Sequence, residues 1–322
     1  MIDLQGSGPM MGMKGIHPKK GIIDLPIVCI RKNVTTQIKP LRKHNKFFAM
    51  YSTPRLKDNP ATQRYAQFWC HCFRNPQEHL QTDKPIELMS ESDFIDPMFV
   101  YVDKRDKKDK KWDFFYLTIN NDAGFENKGL HQFIQSLKTL VLDRKLRGLV
   151  LAYFPDNVKG WHVKFSEEER KILQACEDRL TYKFGWMTAE TLNNYMQACK
   201  FGFFPNTVDC SPRLLTESLC RNVPVMVNTN IWGGWKYVNK ETGSLFDPAN
   251  PETIHAAIDF MQKNTEFNAK RGFLREFGFK NSTERLATYV NRYVEDTGCT
   301  HMYFDRFGSI MKLLRRRLRR EP

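Results

Sequence analysis

The sequence predicts an α/β protein in which the second half forms a Rossmann-like domain with a parallel sheet and the first half forms a shorter α/β domain. In the second half, short and continuously apolar segments alternate with segments whose apolar residues recur at helical spacing. Strands of this kind, separated by helices, are typical of a parallel sheet covered on both faces. A charged run at residues 102–113 divides this regular half from an irregular half that is rich in Pro and Lys.

Each element of the second half is predicted from its own segment. We expect strands at residues 113–119, 147–154, 180–186, 200–205 and 223–228. We expect helices between and after these strands, at residues 128–146, 166–179, 188–199, 212–220 and 250–264. Ser166 and Thr188 stand where helix N-caps are expected.

The first half contains three apolar segments that indicate strands, at residues 25–30, 46–52 and 65–73, and then a loop at residues 88–97. We predict a short N-terminal α/β domain at residues 1–105, a Rossmann-like domain at 106–300 and a basic amphipathic helix at 301–322. The alternative for the charged run is a solvated loop inside one domain. His44 and His71 are the histidines of the first half that lie near apolar strands, and packed or surface positions are favoured for both.

Charge and cysteine content limit the class of protein. The 322 residues carry a formal charge of +14, which points to an anionic partner: a nucleic acid, an acidic lipid or a phosphorylated small molecule. No apolar run reaches the roughly 20 residues that cross a bilayer, and the N-terminus lacks the order of a signal peptide, so we expect a cytoplasmic protein, either free in the cytosol or on the cytosolic face of a membrane. The eight scattered cysteines indicate reduced thiols. Cys70 and Cys72 could hold a metal, but no second Cys/His pair has zinc-finger spacing, so strand packing is favoured and no metal is expected.

The segment FFPNTVDCSPRLLTESLC, residues 203–220, predicts an anion site where a strand turns into a helix. Ser211 suits the N-cap and Pro212 suits the first helical position. Free backbone amides would then point outward at the positive end of the helix dipole, and an arginine side chain would add charge. The residues assigned to this anion site are Ser211, Arg213, Leu214 and Leu215. Glu217, farther along the helix, could accept hydrogen bonds from sugar hydroxyls; a capped surface helix with an incidental Glu is the alternative.

The surrounding pattern is more specific than this turn alone. Asp209 is followed after seven residues by Glu217, then by VPVMVN, IWGGWKYV and ETGSLFDPANPETIHAAI, and NKGL lies upstream. Over about residues 112–295 this order resembles the nucleotide-binding half of GT-B glycosyltransferases, especially the retaining family 4 type. The resemblance implies a GT-B fold and sugar transfer from a UDP-, GDP- or ADP-sugar, with no other cofactor, to a glycan or lipid-linked acceptor.

The resemblance also assigns roles to individual residues. Glu217 matches the acid that holds the ribose, Asp209 the acid that contacts the donor sugar, and Lys128 the lysine that neutralises the diphosphate. The segment FGWMT, residues 184–188, matches the loop beside the nucleotide base, and a double glycine matches a loop that faces the cleft. The residues assigned to these two loops are Gly185, Met187, Thr188, Gly233 and Gly234.

This sequence departs from the family pattern at three places. Asp209 replaces a Glu, CSP replaces a Gly-Phe-Gly segment, and Gly124 stands where the family has an arginine, for which Arg213 could substitute. Negative charge on the departing diphosphate would be stabilised by Lys128 and the helix dipole, without a metal, because the chain has no Asp-x-Asp triplet. The resemblance implies retention of the anomeric configuration.

Two other functions compete with sugar transfer. The net charge and aromatic-basic segments would suit a nucleic-acid-binding protein, although no recognised motif for one is present and no nucleic acid is expected. The short first half would suit a catalytically reduced module that only binds nucleotide. For the Arg-rich end of residues 301–322, we expect contact with anionic lipid, and a solvated tail is the alternative.

Overall fold

The structure is a computed structural model of the chain. It describes residues 13–19, 21–25, 28–30, 47–50, 67–80, 82–95, 110–119, 128–153, 165–264, 267–293 and 301–304. These residues belong to two compact units. One unit is drawn from residues up to 96 and from residue 276 onward, and the other from residues 97–275.

The second unit is built on a six-stranded sheet in which every pairing is parallel. Its strands are β7 (Trp112–Ile119), β8 (Gly148–Tyr153), β9 (Leu180–Phe184), β10 (Cys199–Phe204), β11 (Val225–Asn228) and β12 (Gly243–Phe246). They lie in the order β12-β11-β10-β7-β8-β9. The Rossmann-like parallel sheet predicted for this half is therefore confirmed, with β12 as an additional edge strand.

Helices lie between and after these strands, and each of them except the last was predicted. They are α1 (Leu130–Leu137), α2 (Glu167–Ala175), α3 (Ala189–Gln197), α4 (Arg213–Cys220), α5 (Pro251–Lys263) and α6 (Ala269–Leu274). The helix predicted at 128–146 changes character after Leu137, because Lys138–Asp143 is π-helical. Both predicted caps are confirmed, since the side chains of Ser166 and Thr188 accept hydrogen bonds from backbone amides.

Both faces of the sheet are buried, which explains why its strands read as continuously apolar. Phe114 and Tyr116 of β7 belong to a large buried cluster with α1, α2 and α5. Phe115, which points to the opposite face of the same strand, is also fully buried and contacts Phe204 of β10 edge-on. Helices therefore cover the sheet on both sides, and its open sites are left at the strand ends.

A hydrogen bond between side chains links the helices α1 and α2. His131 Nδ1 lies 2.5 Å from Glu169 Oε1, and Glu169 also accepts the backbone amide of Ser166 in a capping box. Burial opposes ionisation of Glu169, but the hydrogen bonds from His131 and Ser166 outweigh it and hold the pKa of this carboxyl below its ordinary value. The ionised form is therefore favoured by folding.

This pair predicts a loss of stability in acid. A carboxyl whose folded pKa is depressed stabilises the protein above its unfolded pKa of about 4.3, and this stabilisation is lost as pH falls through the folded pKa. We expect wild type to unfold at a higher temperature than Glu169→Gln at pH 7, and the difference to shrink below about pH 4.3. Thermal melts of both proteins from pH 7 to pH 3 measure it. A constant difference across this range would contradict the assignment.

The first unit contains two smaller sheets. Strands β3 (Val28–Ile30), β4 (Phe47–Met50), β5 (Trp69–His71) and β6 (Ile86–Leu88) form a parallel sheet in that order. Strands β1 (Met13–His17), β2 (Gly21–Leu25) and β13 (His301–Phe304) form an antiparallel sheet in the order β13-β1-β2. The three segments predicted as strands in the first half thus each contain one.

The last described helix, α7 (Gly278–Tyr293), belongs to the first unit. Ser282 Oγ donates to the carbonyl of Asp93 at 2.8 Å, and Tyr293 OH donates to Glu87 Oε1 at 2.7 Å. The division therefore differs from the predicted boundary at residue 300, since the chain returns to the first unit at residue 276. The helix predicted from residue 301 is wrong at its start, because His301–Phe304 pairs with β1 as a strand. Residues 305–322 lie outside the described residues.

Side chains of the first half that the sequence singled out are packed inside this unit where they are described. Cys70 and Cys72 are fully buried, and His71 is 6% exposed. His44 lies outside the described residues. Among the helices that the structure describes, none is long and apolar enough to cross a membrane.

Candidate functional site

Two predicted site residues meet at the carboxyl ends of β7 and β10. Lys128 Nζ lies 3.0 Å from Asp209 Oδ2, and the two side chains are 25% and 14% exposed. Lys128 lies two residues before the start of α1, whereas Asp209 follows β10 by five residues. Residues 81 positions apart in sequence are thus brought into one ion pair, in the region where parallel sheets bind ligands.

Gly129 explains how Lys128 reaches this position. It adopts the left-handed conformation, with φ +65°, and a Cβ atom built on it would lie 2.7 Å from the carbonyl oxygen of Pro205. The backbone after Lys128 therefore rests directly on the end of β10. Tyr116 OH donates to the carbonyl of Lys128 at 3.1 Å, and burial raises the pKa of Tyr116 well above its ordinary range, so that it stays a donor. Two contacts from neighbouring strands hold the lysine backbone.

Replacement of Gly129 by alanine is expected to destabilise the second unit by about 2–4 kcal/mol, from left-handed strain and from the clash with Pro205. Asn222→Ala is the control, because Asn222 also has positive φ, at 58°, but is exposed; this change also removes the hydrogen bond that Asn222 Oδ1 accepts from the amide of Lys270. We expect the control to lose about 1 kcal/mol. Urea denaturation measures both losses, and equal losses would show that the close contact with Pro205 has no energetic consequence.

Asp209 is held on both carboxylate oxygens. Besides Lys128, the side-chain amide of Asn206 donates to Oδ2 at 3.2 Å, and the backbone amide of Ser211 donates to Oδ1 at 3.2 Å. The backbone amide of Gly233 donates to the Asp209 carbonyl at 2.9 Å. Three of the predicted site segments therefore converge on one acidic side chain and its backbone.

The start of α4 differs from the prediction by one residue. Pro212, with φ −71° and ψ 84°, is the N-cap, and no side chain caps the helix. Ser211 therefore stands one position before the N-cap, and its backbone amide donates to Asp209 Oδ1. The amide of Leu215 donates to the Pro212 carbonyl at 3.1 Å and is therefore not open to an anion. Gly234, with φ +100°, lies against the Pro212 ring, where a Cβ atom would come within 2.7 Å of Cγ.

A shallow recess lies between these segments. Leu214 of α4 contributes to its wall, and the side chain of Arg213 beside it is exposed. The polar part of the lining is supplied by Lys128, Asn206 and Asp209, and the apolar part by Tyr116, Leu117 and Pro212. One cation and one carboxylate thus face a small apolar recess at the edge of the sheet.

Glu217 lies on α4, eight positions after Asp209, and is paired inside the protein. Its Oε2 atom lies 3.3 Å from Arg221 Nη1, and Arg221 in turn donates through Nε to Asn193 Oδ1 of α3. The Glu217 side chain is 20% exposed, so the carboxylate is still accessible at the surface of the helix. The structure does not place Glu217 in direct contact with the ion pair of Lys128 and Asp209.

The predicted base loop lies farther away. Gly185, with φ +92°, directly follows β9, which is three strands from β10, or about 14 Å at ordinary strand spacing. Met187 is buried, whereas Thr188 is exposed and its Oγ caps α3 by accepting the amide of Thr191 at 3.1 Å. Trp186 between them is 89% exposed. The exposed aromatic side chain of this loop is thus Trp186, whereas the residues predicted from the sequence are Gly185, Met187 and Thr188.

Sequence reasoning missed two residues of this region. Asn206 is 3% exposed, and an amide directly after an apolar strand was the available signal for it. Arg221 is 6% exposed and stands four residues after Glu217, a spacing that brings side chains together on a helix. Within the described ranges, no three His, Cys, Asp or Glu side chains cluster as metal ligands.

Comparison with known proteins gives likeness at the level of structure. No family model matches the sequence, and no curated protein matches it. The structure resembles Anabaena HepE in complex with UDP, with a TM-score of 0.61, 12% identity and coverage of 83% of this chain and 78% of that one. It also resembles a glycosyltransferase from Rickettsia africae, with a TM-score of 0.58, 13% identity and coverage of 84% and 77%. A third similar structure is sucrose-phosphate synthase from Thermosynechococcus elongatus, with a TM-score of 0.57, 12% identity and coverage of 83% and 73%.

Proposed function

Because the chain has the fold of GT-B glycosyltransferases, we propose that it transfers a sugar from a nucleoside-diphosphate sugar to a glycan or lipid-linked acceptor, with retention and without a metal. The observation that carries this proposal is the pairing of Lys128 with Asp209 at the carboxyl edge of the parallel sheet. It joins a cation suited to a diphosphate and an acid suited to a sugar at one recess. Similar structures contain UDP with glucose and UDP with GlcNAc, which supports a sugar-nucleotide donor.

The proposed roles follow from charge and position. Lys128 and the amino end of α4, with the exposed Arg213, would stabilise the negative charge that develops on the departing diphosphate. Asp209, which also lines the recess, would contact the donor sugar. Glu217 would accept hydrogen bonds from the ribose hydroxyls, and the loop that carries Trp186 would meet the base. No metal would be needed in this arrangement, because Lys128 and the amino end of α4 would supply positive charge at the leaving group.

Turnover of sugar nucleotides tests this function. We expect the full chain to release nucleoside diphosphate from one member of a UDP-, GDP- and ADP-sugar panel, and to do so equally with and without EDTA. Chromatographic detection of the released diphosphate measures it, and NMR of the product gives the anomeric configuration. Complete loss with EDTA would contradict metal-independent transfer, and inversion would contradict retention. Binding without release would identify the catalytically reduced module instead.

A further inference from the structure

We propose that Arg221 is a positioning residue, which fixes the Glu217 carboxylate so that it can accept hydrogen bonds from the ribose of the donor. The inference rests on the proposed function and adds to it a residue that does not itself touch the ligand. It concerns a group of four polar side chains between α3 and α4, the Arg221 network, made of Asn193, Gln197, Glu217 and Arg221.

The first argument is the burial of the guanidinium. Arg221 is only 6% exposed, and its carboxylate partner is Glu217, at 3.3 Å and 20% exposed. A buried charge is costly unless it is paired, and a pair of this kind adds little stability over apolar residues of similar size. A contribution to stability therefore does not explain well why this buried position is occupied by an arginine. A role in holding the Glu217 carboxylate explains it better.

The second argument is that the guanidinium is anchored from a different helix. Asn193 Oδ1 accepts a hydrogen bond from Arg221 Nε, and it also accepts one from Gln197 Nε2 at 3.2 Å. Asn193 and Gln197 both belong to α3 and are buried. Arg221 is thus fixed by α3 while it contacts an acid of α4, so the position of the Glu217 carboxylate depends on both helices.

The third argument is that Arg221 contacts only one of the two carboxylate oxygens of Glu217. Arg221 engages Oε2 of Glu217, and within the described part of the chain no hydrogen bond reaches Oε1. Burial lowers the pKa of Arg221 below its ordinary value, and the nearby Glu217 carboxylate offsets only part of this effect. Arg221 nevertheless stays protonated, as arginines in proteins do. Oε2 of Glu217 is therefore held by Arg221, whereas Oε1 can accept a hydrogen bond from the ribose. Holding a flexible glutamate in place before binding removes part of the ordering cost on binding.

A comparison of ribose and dideoxyribose nucleotides tests this role. Calorimetry would give the affinities of UDP, GDP and ADP, and of their 2′,3′-dideoxy analogues, for the full chain and its variants. We expect wild type to bind one of the three ribonucleotides about 10- to 100-fold more tightly than its dideoxy analogue, which is the contribution of a hydrogen bond to a charged group. Arg221→Met and Glu217→Gln should both lose this preference, and Arg221→Lys should keep part of it. Arg144→Met is the matched control, because Arg144 pairs with Asp259 elsewhere in the same unit, and it should keep the full preference.

Each outcome decides the proposal. If Arg221→Met weakens ribo and dideoxy forms equally and keeps the preference, Arg221 is only structural and the inference is wrong. If Arg221→Met does not fold, Asn193→Ala serves, since it leaves the ion pair of Arg221 with Glu217 and removes the acceptor that Arg221 shares with Gln197. A ribose preference at the wild-type level in Asn193→Ala would also overturn the inference. Binding of none of the three nucleotides by folded wild type would refute the proposed function, and this inference with it.

Discussion

Replacing Lys128 by alanine should weaken binding of the nucleoside diphosphate by about 10- to 100-fold and leave binding of the free nucleoside nearly unchanged. The reason is that the Lys128 ammonium lies at the recess beside the carboxyl ends of the strands, where a diphosphate would lie, and not near the base loop. Transfer should slow further, by about 100- to 1,000-fold, because the same charge stabilises the leaving group. Calorimetry with UDP, GDP, ADP and their nucleosides measures the first effect, and initial rates measure the second.

Lys200 offers a matched control for this substitution. It also forms an ion pair with an aspartate, at 2.7 Å from Asp113, but it lies at the amino end of β10, the opposite edge of the sheet. Lys200→Ala should leave both affinities unchanged. Equal losses for diphosphate and nucleoside in Lys128→Ala, or the same pattern in Lys200→Ala, would identify Lys128 as a structural residue.

Asp209→Asn should separate binding from chemistry. Loss of the negative charge releases Lys128 from its ion pair, so we expect the nucleoside diphosphate to bind at least as tightly as to wild type. Sugar transfer should nevertheless fall by about 100- to 1,000-fold, because positive charge that develops at the sugar would lose a nearby carboxylate. The affinity for the diphosphate and kcat for the sugar nucleotide, measured on one preparation, give both effects.

The control for this variant is Asp113→Asn at the other edge of the sheet, since Asp113 pairs with Lys200 as Asp209 pairs with Lys128. It should change neither value at a temperature where the protein is folded. Should Asp209→Asn lose diphosphate binding and retain kcat, the acid would serve only to hold Lys128 and not to contact the sugar.

The sequence predicted most of the second unit because its signals are local. Apolar runs marked the strands, and Ser166 and Thr188 marked helix starts through side-chain bonds to nearby amides. The start of α4 was misplaced because Asp209 engages the amide of Ser211, a preference for a turn that competes with the cap. The strand at His301–Phe304 was missed because its partner, β1, lies almost three hundred residues earlier, and such pairing leaves no local signal.

The site was predicted in its parts but not in its contacts. A resemblance to known motifs selected Lys128, Asp209 and Glu217, and the structure brings the first two together. The pairing of Glu217 with Arg221 could have been suggested by their spacing of four residues. The hydrogen bond from Arg221 to Asn193 could not have been predicted, because it depends on how α3 and α4 pack. For the same reason, nothing in the sequence of α7 indicated that it returns to the first unit.

The central claim is that the recess beside Lys128 and Asp209 binds the diphosphate of a sugar nucleotide. The most direct test is a thermal-shift panel of the full chain with UDP, GDP, ADP, the three nucleosides and a short RNA. We predict that one diphosphate, at about a hundred times its dissociation constant, stabilises the protein by about 2.7 kcal/mol, whereas its nucleoside does so far less. Stabilisation by the RNA alone, falling steeply with salt, and none by any diphosphate would contradict the account and favour a nucleic-acid-binding protein.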